Sequence, residues 1–143
     1  MASYGSPGRT ADLVVRVDRT LFVREVNRRA LPVLAQYNLR DPRWRLGEDN
    51  TVTLDATGKL PIIGTDVGVR VTTRPVVRGG SLAIELISVQ SGRLQIPAAR
   101  LSGLLEGLNR QIASAIDRRK FEVEDVRTSP DAISLALRVV GDL

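Results

Sequence analysis

The chain contains no cysteine and no histidine. That removes zinc sites of the usual kind, thiol nucleophiles, disulfides and imidazole acid–base chemistry together. Serine chemistry loses its usual activating base as well. Ser102, Ser114 and Ser134 have no imidazole to draw on, and neither lysine, Lys59 or Lys120, is near enough in sequence to suggest a Ser–Lys pair. Aromatic residues are scarce: Tyr4, Phe22, Tyr37, Trp44 and Phe121 are all there are in 143 residues. Leu, Val and Ile must therefore fill the core. No apolar run approaches the ~18 residues of a membrane span, and the N-terminus lacks the hydrophobic region of a signal peptide. Residues 1–10 read as a flexible leader, or as the start of a chain from which a targeting segment was removed. Residues 11–143 read as a single domain with enough volume for a core.

The remaining polar residues do not assemble a catalytic set. Asp41, Asp49, Asp55, Asp66, Glu122, Glu124 and Asp125 show no spacing that forces two carboxylates into one pocket. Gly64-Thr65-Asp66-Val67-Gly68 lacks the Lys-Ser/Thr tail of a phosphate loop and opens a strand rather than a helix. The expectation is a protein that is not an enzyme and uses no cofactor or metal. The formal net charge is +5, carried almost wholly by arginine. A polyanion is a natural partner for such a balance. The arginines, however, are scattered singly or in pairs, so nucleic acid is not the expected partner.

What the sequence does contain is amphipathic periodicity. Across Gln95–Lys120, Leu101, Leu104, Leu105, Leu108, Ile112 and Ile116 recur at helical spacing and predict a long helix with one apolar face. Pro97 suits its first turn, and Arg118, Arg119 and Lys120 suit its last. Gly103 and Gly107 each cost about 1 kcal/mol in a helix interior, which predicts close backbone approach on the outer flank of that helix. A second helix is predicted over Arg19–Tyr37, capped by Asp18, with Phe22, Val23, Val26, Ala30, Val33, Leu34 and Tyr37 on one stripe. Pro32 is expected to kink it or end its regular part.

Strands are predicted around these helices. Leu13–Val17 alternates weakly. Thr51–Thr57 alternates cleanly with Val52, Leu54 and Ala56 on one face, and Val67, Val69 and Val71 open another strand. Ser81–Val89 is apolar on both sides. Phe121–Val126 has an irregular phase, and Ile133–Val139 closes the chain after a Ser129-Pro130-Asp131 turn. Asp41-Pro42 and Gly47 predict turns between Asn38 and Asn50. The fold expected is α+β: a highly curved, mainly antiparallel sheet packed on two long amphipathic helices. Val26-Asn27-Arg28 and Leu108-Asn109-Arg110 hold matching wheel positions, suggesting a β-helix-β-β internal repeat.

Two helical stripes and a sheet can close on each other as a filled core, which suits a protein-interaction or assembly module without a ligand. They can also enclose a groove for an acyl chain, where each buried CH₂ contributes about 0.8 kcal/mol without any directed contact. Aliphatic walls suit flexible chains.

Gly80-Ser81-Leu82-Ala83-Ile84-Glu85-Leu86, then Ser91-Gly92-Arg93-Leu94-Gln95-Ile96-Pro97, the helix that follows and Phe121–Val139 resemble the LmeA-like phospholipid-binding family of bacterial cell-envelope proteins, which belongs with the tubular lipid-binding (TULIP-like) folds. The first half is similar through the helix carrying Val26-Asn27-Arg28 and the strands Thr51–Thr57 and Val67–Val77. The resemblance implies an envelope location and non-catalytic binding of phospholipid or another acyl-chain lipid, with transfer as one use, in a hydrophobic groove between sheet and helices. The residues expected to line it are Phe22, Val26, Ala30 and Val33 on the first helix, Leu101, Leu104, Leu105, Leu108 and Ile112 on the second, and Val69, Val71, Ile84 and Leu86 on the sheet. Leu60, Ile62 and Ile63 form a candidate tip for peripheral membrane contact. Arg74 and Arg78 are candidates to meet lipid phosphate.

Overall fold

The structure is a computed structural model that describes residues 12–59, 66–92, 94–96 and 101–141. The fold is α+β and consists of two antiparallel sheets and two helices. Strand β1 (Leu13–Asp18) leads directly into helix α1 (Arg19–Gln36). Strands β2 (Leu39–Gly47), β3 (Thr51–Lys59), β4 (Asp66–Arg78), β5 (Ser81–Ser91) and the two-residue β6 (Leu94–Gln95) form an open five-stranded sheet in chain order. Helix α2 (Ser102–Ala113) then delivers the chain to β7 (Phe121–Ser129) and β8 (Ala132–Val139), which join β1 in a three-stranded sheet ordered β1-β8-β7. Each helix thus leaves one sheet and leads to a hairpin in the other. The two helices are not equivalent, with 18 residues in α1 against 12 in α2.

The Asp18 cap forms as its position requires. Its carboxylate accepts a 2.9 Å hydrogen bond from the Leu21 amide, satisfying one of the orphan N–H groups of the first turn. Asp18→Ala is expected to cost about 1 kcal/mol in a urea unfolding titration. Pro32 does not end the helix, which continues to Gln36. Leu31 and Pro32 lie on its exposed side, where water can serve the carbonyl that a proline nitrogen leaves without a donor.

Bulges explain the irregular phases read in the strands. Between Arg40 and Arg43 two residues, Asp41 and Pro42, oppose the single Ala56, with Asp41 at φ +54°. Asp41-Pro42 is therefore a bulge inside β2 and not a turn, so the expected loop over Asn38–Asn50 is corrected to a nine-residue strand. Turn residues and bulge residues share the same backbone demands, so local composition could not separate the two. In β5, Thr72 pairs with Ser88 while Thr73 pairs with Leu86, leaving Ile87 unpaired and exposed. That extra residue shifts the inward face from Ile84 and Leu86 to Val89, so a strand that looked apolar on both sides is largely one-sided. In β7 the extra residue is Glu124, between Val123 and Asp125.

Helix α2 is shorter than its periodicity predicts. It ends at Ala113, and Arg118, Arg119 and Lys120 follow it in turns, so they are not its last-turn cations; Arg110 is. The cause is local competition for the backbone. The Ser114 hydroxyl donates to the Gln111 carbonyl at 2.8 Å. The Asp117 side chain accepts from the Arg119 amide at 3.0 Å, and its carbonyl accepts from Phe121 at 2.9 Å. Ile116, no longer on a helix, packs against Val123, Val126, Ile133, Leu135 and Leu137 of the three-stranded sheet.

The two helices run antiparallel where they touch. A Cβ placed on Gly107 would lie 2.8 Å from Val33 Cγ1, and one on Gly103 would collide with the Tyr37 hydroxyl. Both glycines permit close approach, as expected, but the flank is the one that meets α1, and Gly107 is buried there. Two clusters of buried side chains result. One lies between the helices and the five-stranded sheet around Leu34, Leu54, Val89 and Leu104; the other belongs to the three-stranded sheet. Phe22 packs against both.

Candidate functional site

Because α2 stops at Ala113, the first half of α1 has no helical neighbour beside it. Beneath it lies a crevice at the seam between the two clusters, with a cavity of about 70 Å³. Its wall from α1 is Phe22, Val26, Arg29 and Ala30; from α2 come Leu108, Gln111 and Ile112. The five-stranded sheet supplies Trp44, Val52, Thr73, Pro75, Leu82 and Ile84, and the other sheet contributes Ile133.

Every buried polar group near this wall has a partner. The Trp44 indole N–H donates to Asn27 Oδ1 at 2.6 Å, which points the ring's apolar edge into the crevice and ties α1 to β2. The Thr73 hydroxyl donates to the Val52 carbonyl at 2.7 Å. Asn109 accepts from the Ile84 amide at 2.8 Å and donates back to the Ile84 carbonyl at 3.2 Å. Opposite Ile84 on β4 stands Pro75, which has no N–H to offer, and β6 reaches only Gln90 and Ser91 of β5. Asn109 therefore serves the open edge of β5 at Ile84 as a neighbouring strand would. Among the described residues no buried side-chain nitrogen or oxygen lacks a partner. A wall whose buried side-chain polar atoms are already satisfied favours apolar matter.

At the rim stands Arg29. Its guanidinium donates to Ser114 Oγ at 3.3 Å and approaches Glu25 only to 4.0 Å, with 30% of the side chain exposed. Glu25 is held more closely by Arg28, at 2.8 Å; that hydrogen bond and charge keep the Glu25 carboxyl below its ordinary range.

Of the residues expected to line a lipid groove, Phe22, Val26, Ala30, Ile84, Leu108 and Ile112 are brought together in the lining of this crevice. Val33, Val69, Val71, Leu86, Leu101, Leu104 and Leu105 are not: they pack in the cluster between the helices and the five-stranded sheet, beyond the Gly107–Val33 contact. Leu60, Ile62 and Ile63 lie outside the described residues. Arg78 is engaged with Glu85 at 2.9 Å, and Arg74 is an exposed residue of β4 whose neighbours Thr73 and Pro75 line the crevice while its own side chain belongs to the opposite face of the strand. Sequence reasoning missed Trp44, Val52, Thr73, Pro75, Leu82, Ile133 and Arg29. Val52 was legible as an inward position of its strand, but assigning it to this wall required knowing where α2 ends. Two shallow depressions lie over the opposite face of the five-stranded sheet around Asp55 and Gly68. Asp55 there is occupied by Arg70 at 2.8 Å and Arg45 at 3.3 Å.

Among the described residues no group of acidic side chains could hold a metal ion, and no helix is long and apolar enough to cross a membrane. Compared with known proteins, the chain matches no family model, no curated protein and no solved structure.

Proposed function

We propose that this protein binds an acyl chain non-catalytically in the crevice beneath α1. The observation that carries this reading is the crevice itself, whose lining is largely apolar and whose buried side-chain polar groups are already hydrogen-bonded. The resemblance to the LmeA-like phospholipid binders points the same way and adds an envelope location, with peripheral membrane contact, as a further proposal. At about 70 Å³ the cavity is small beside the roughly 300–1,000 Å³ of sites that enclose a drug-sized ligand. It takes the end of a chain as it stands, and more of the chain only if α1 and the end of α2 part.

Trp44, the one tryptophan, sits in the wall and reports on occupancy. Titrating the protein with decanol below its solubility limit is expected to give a saturable change in Trp44 emission. Ile112→Trp, which adds bulk at the half-buried end of α2 but brings a second indole, is instead followed by calorimetry and is expected to weaken binding about tenfold or more. Unsaturable or absent response in the unmodified protein would reject the reading.

A second reading, an assembly module, rests on β1. Among the described residues it is an edge strand paired only with β8, and Leu13 and Val14 are 42% and 45% exposed. Such an edge can accept another strand. Sedimentation that stays monomeric into the high micromolar range would remove self-association through this edge.

A further inference from the structure

We infer that Arg29 makes the crevice selective for an amphiphile with a single apolar chain and an anionic head, the chain end lying under α1 and the head on the Arg29 guanidinium. This rests on the acyl-chain reading above and narrows it. Three observations lead here.

Among the described residues Arg29 is the one charged member of the lining, and it stands where the apolar wall meets solvent. Nearly all of its hydrogen-bonding capacity is free for a ligand. A guanidinium offers five N–H donors; Ser114 takes one at 3.3 Å, and Glu25, already held by Arg28, approaches only to 4.0 Å. A carboxylate or phosphate can bind such a fork through two parallel hydrogen bonds, which an alcohol cannot. The carbonyl end of α2 lies on the same rim and disfavours an anion. Arg110 in its last turn opposes that effect.

The restriction to one chain follows from the walls. Asn27 ties α1 to β2 through Trp44, Asn109 ties α2 to β5, and Gly107 sits against Val33 where the helices cross. Only the end of α2, joined to α1 by the weak Arg29–Ser114 contact, is free to yield. Two chains would require breaking one of the three ties.

Trp44 emission titrations at pH 8 with decanoate, decyl phosphate and decanol, each below its micellar concentration, test this directly. The two anions are expected to bind about tenfold or more tightly than decanol, as a charge-assisted pair outweighs a neutral contact. Arg29→Gln is expected to bring the anions down to the affinity that the same variant shows for decanol, and Arg29→Lys to restore part of the preference. A preference for decanoate over decyl phosphate, or the reverse, identifies the head group and supports the assignment either way. Equal affinity for all three in the unmodified protein, or a preference that survives Arg29→Gln, overturns it while leaving acyl-chain binding intact. Absence of binding by any of the three overturns both. Melting temperatures of the two variants, expected to lie close to the parent because the hydrogen bond of Arg29 to Ser114 is exposed, show that any loss is not unfolding.

Discussion

Asn109→Ala is expected to destabilise the protein by about 2–4 kcal/mol, close to the cost of leaving one buried amide and one buried carbonyl without partners. Ile84 is buried, and its N–H and C=O both end on this one side chain. Among the described residues no strand replaces it there, because β6 covers only Gln90 and Ser91. Asn109→Asp separates the two bonds. It keeps the acceptor for the Ile84 amide but sets a carboxylate against the Ile84 carbonyl, so it is expected to be no less destabilising than alanine near neutral pH. Urea unfolding of both variants measures this. Values within about 0.5 kcal/mol of the parent, the range of ordinary surface substitutions, would show that water serves the β5 edge equally well.

The second large effect is expected at Gly107. A larger side chain must displace Val33, which is buried and branched at Cβ, so neither partner can rotate away cheaply. Gly107→Leu is expected to cost about 3 kcal/mol, at the upper end of ordinary overpacking, and to lower the melting temperature by about 10 °C. Gly103 provides the contrast. A Cβ there meets only the end of the Tyr37 side chain, which can swing outward. Gly103→Ala also gains up to about 1 kcal/mol of helix propensity, so it is expected to be neutral or stabilising. If the two glycines responded alike, their cost would be one of helix propensity and not of helix–helix contact.

These two sites show what was legible in the sequence and what was not. Elements whose signal is local were read correctly. The Asp18 cap and the β7–β8 turn at Pro130-Asp131 rest on interactions within a few residues, and the α1 stripe and the alternation in β3 are periodic patterns legible along the chain although what they pack against is distant. Gly103 and Gly107 signalled close approach, but not the partner, since Val33 and Tyr37 are some seventy residues away along the chain. The end of α2 was misplaced because Leu104, Leu108, Ile112 and Ile116 keep helical spacing past the point where Ser114 and Asp117 take over the backbone. A hydrophobic repeat cannot tell a helix from a chain that turns once and buries its next Ile against another sheet. That single misplacement hid the crevice, which exists only because α2 stops short.

Asparagine was the least legible of all. Asn27 and Asn109 were matched by wheel position, and both do reach the five-stranded sheet, one through an indole and one through a strand edge. Asn50 closes another edge: it donates to the Val126 carbonyl at 2.9 Å and accepts from the Thr128 amide at 2.8 Å on β7. A side-chain amide carries the same donor and acceptor as a peptide group, so it can stand in for a missing strand. Nothing in one sequence indicates which edge it will find.

The most direct measurement is a crystal structure of the protein grown with saturating decanoate. The expected result is continuous density for the chain beneath the first half of α1, against Phe22, Val26, Ile84 and Ile112, with its carboxylate within hydrogen-bonding distance of Arg29. An unaltered, unoccupied crevice at saturating decanoate, or a chain bound only on the opposite face of the five-stranded sheet, would contradict it.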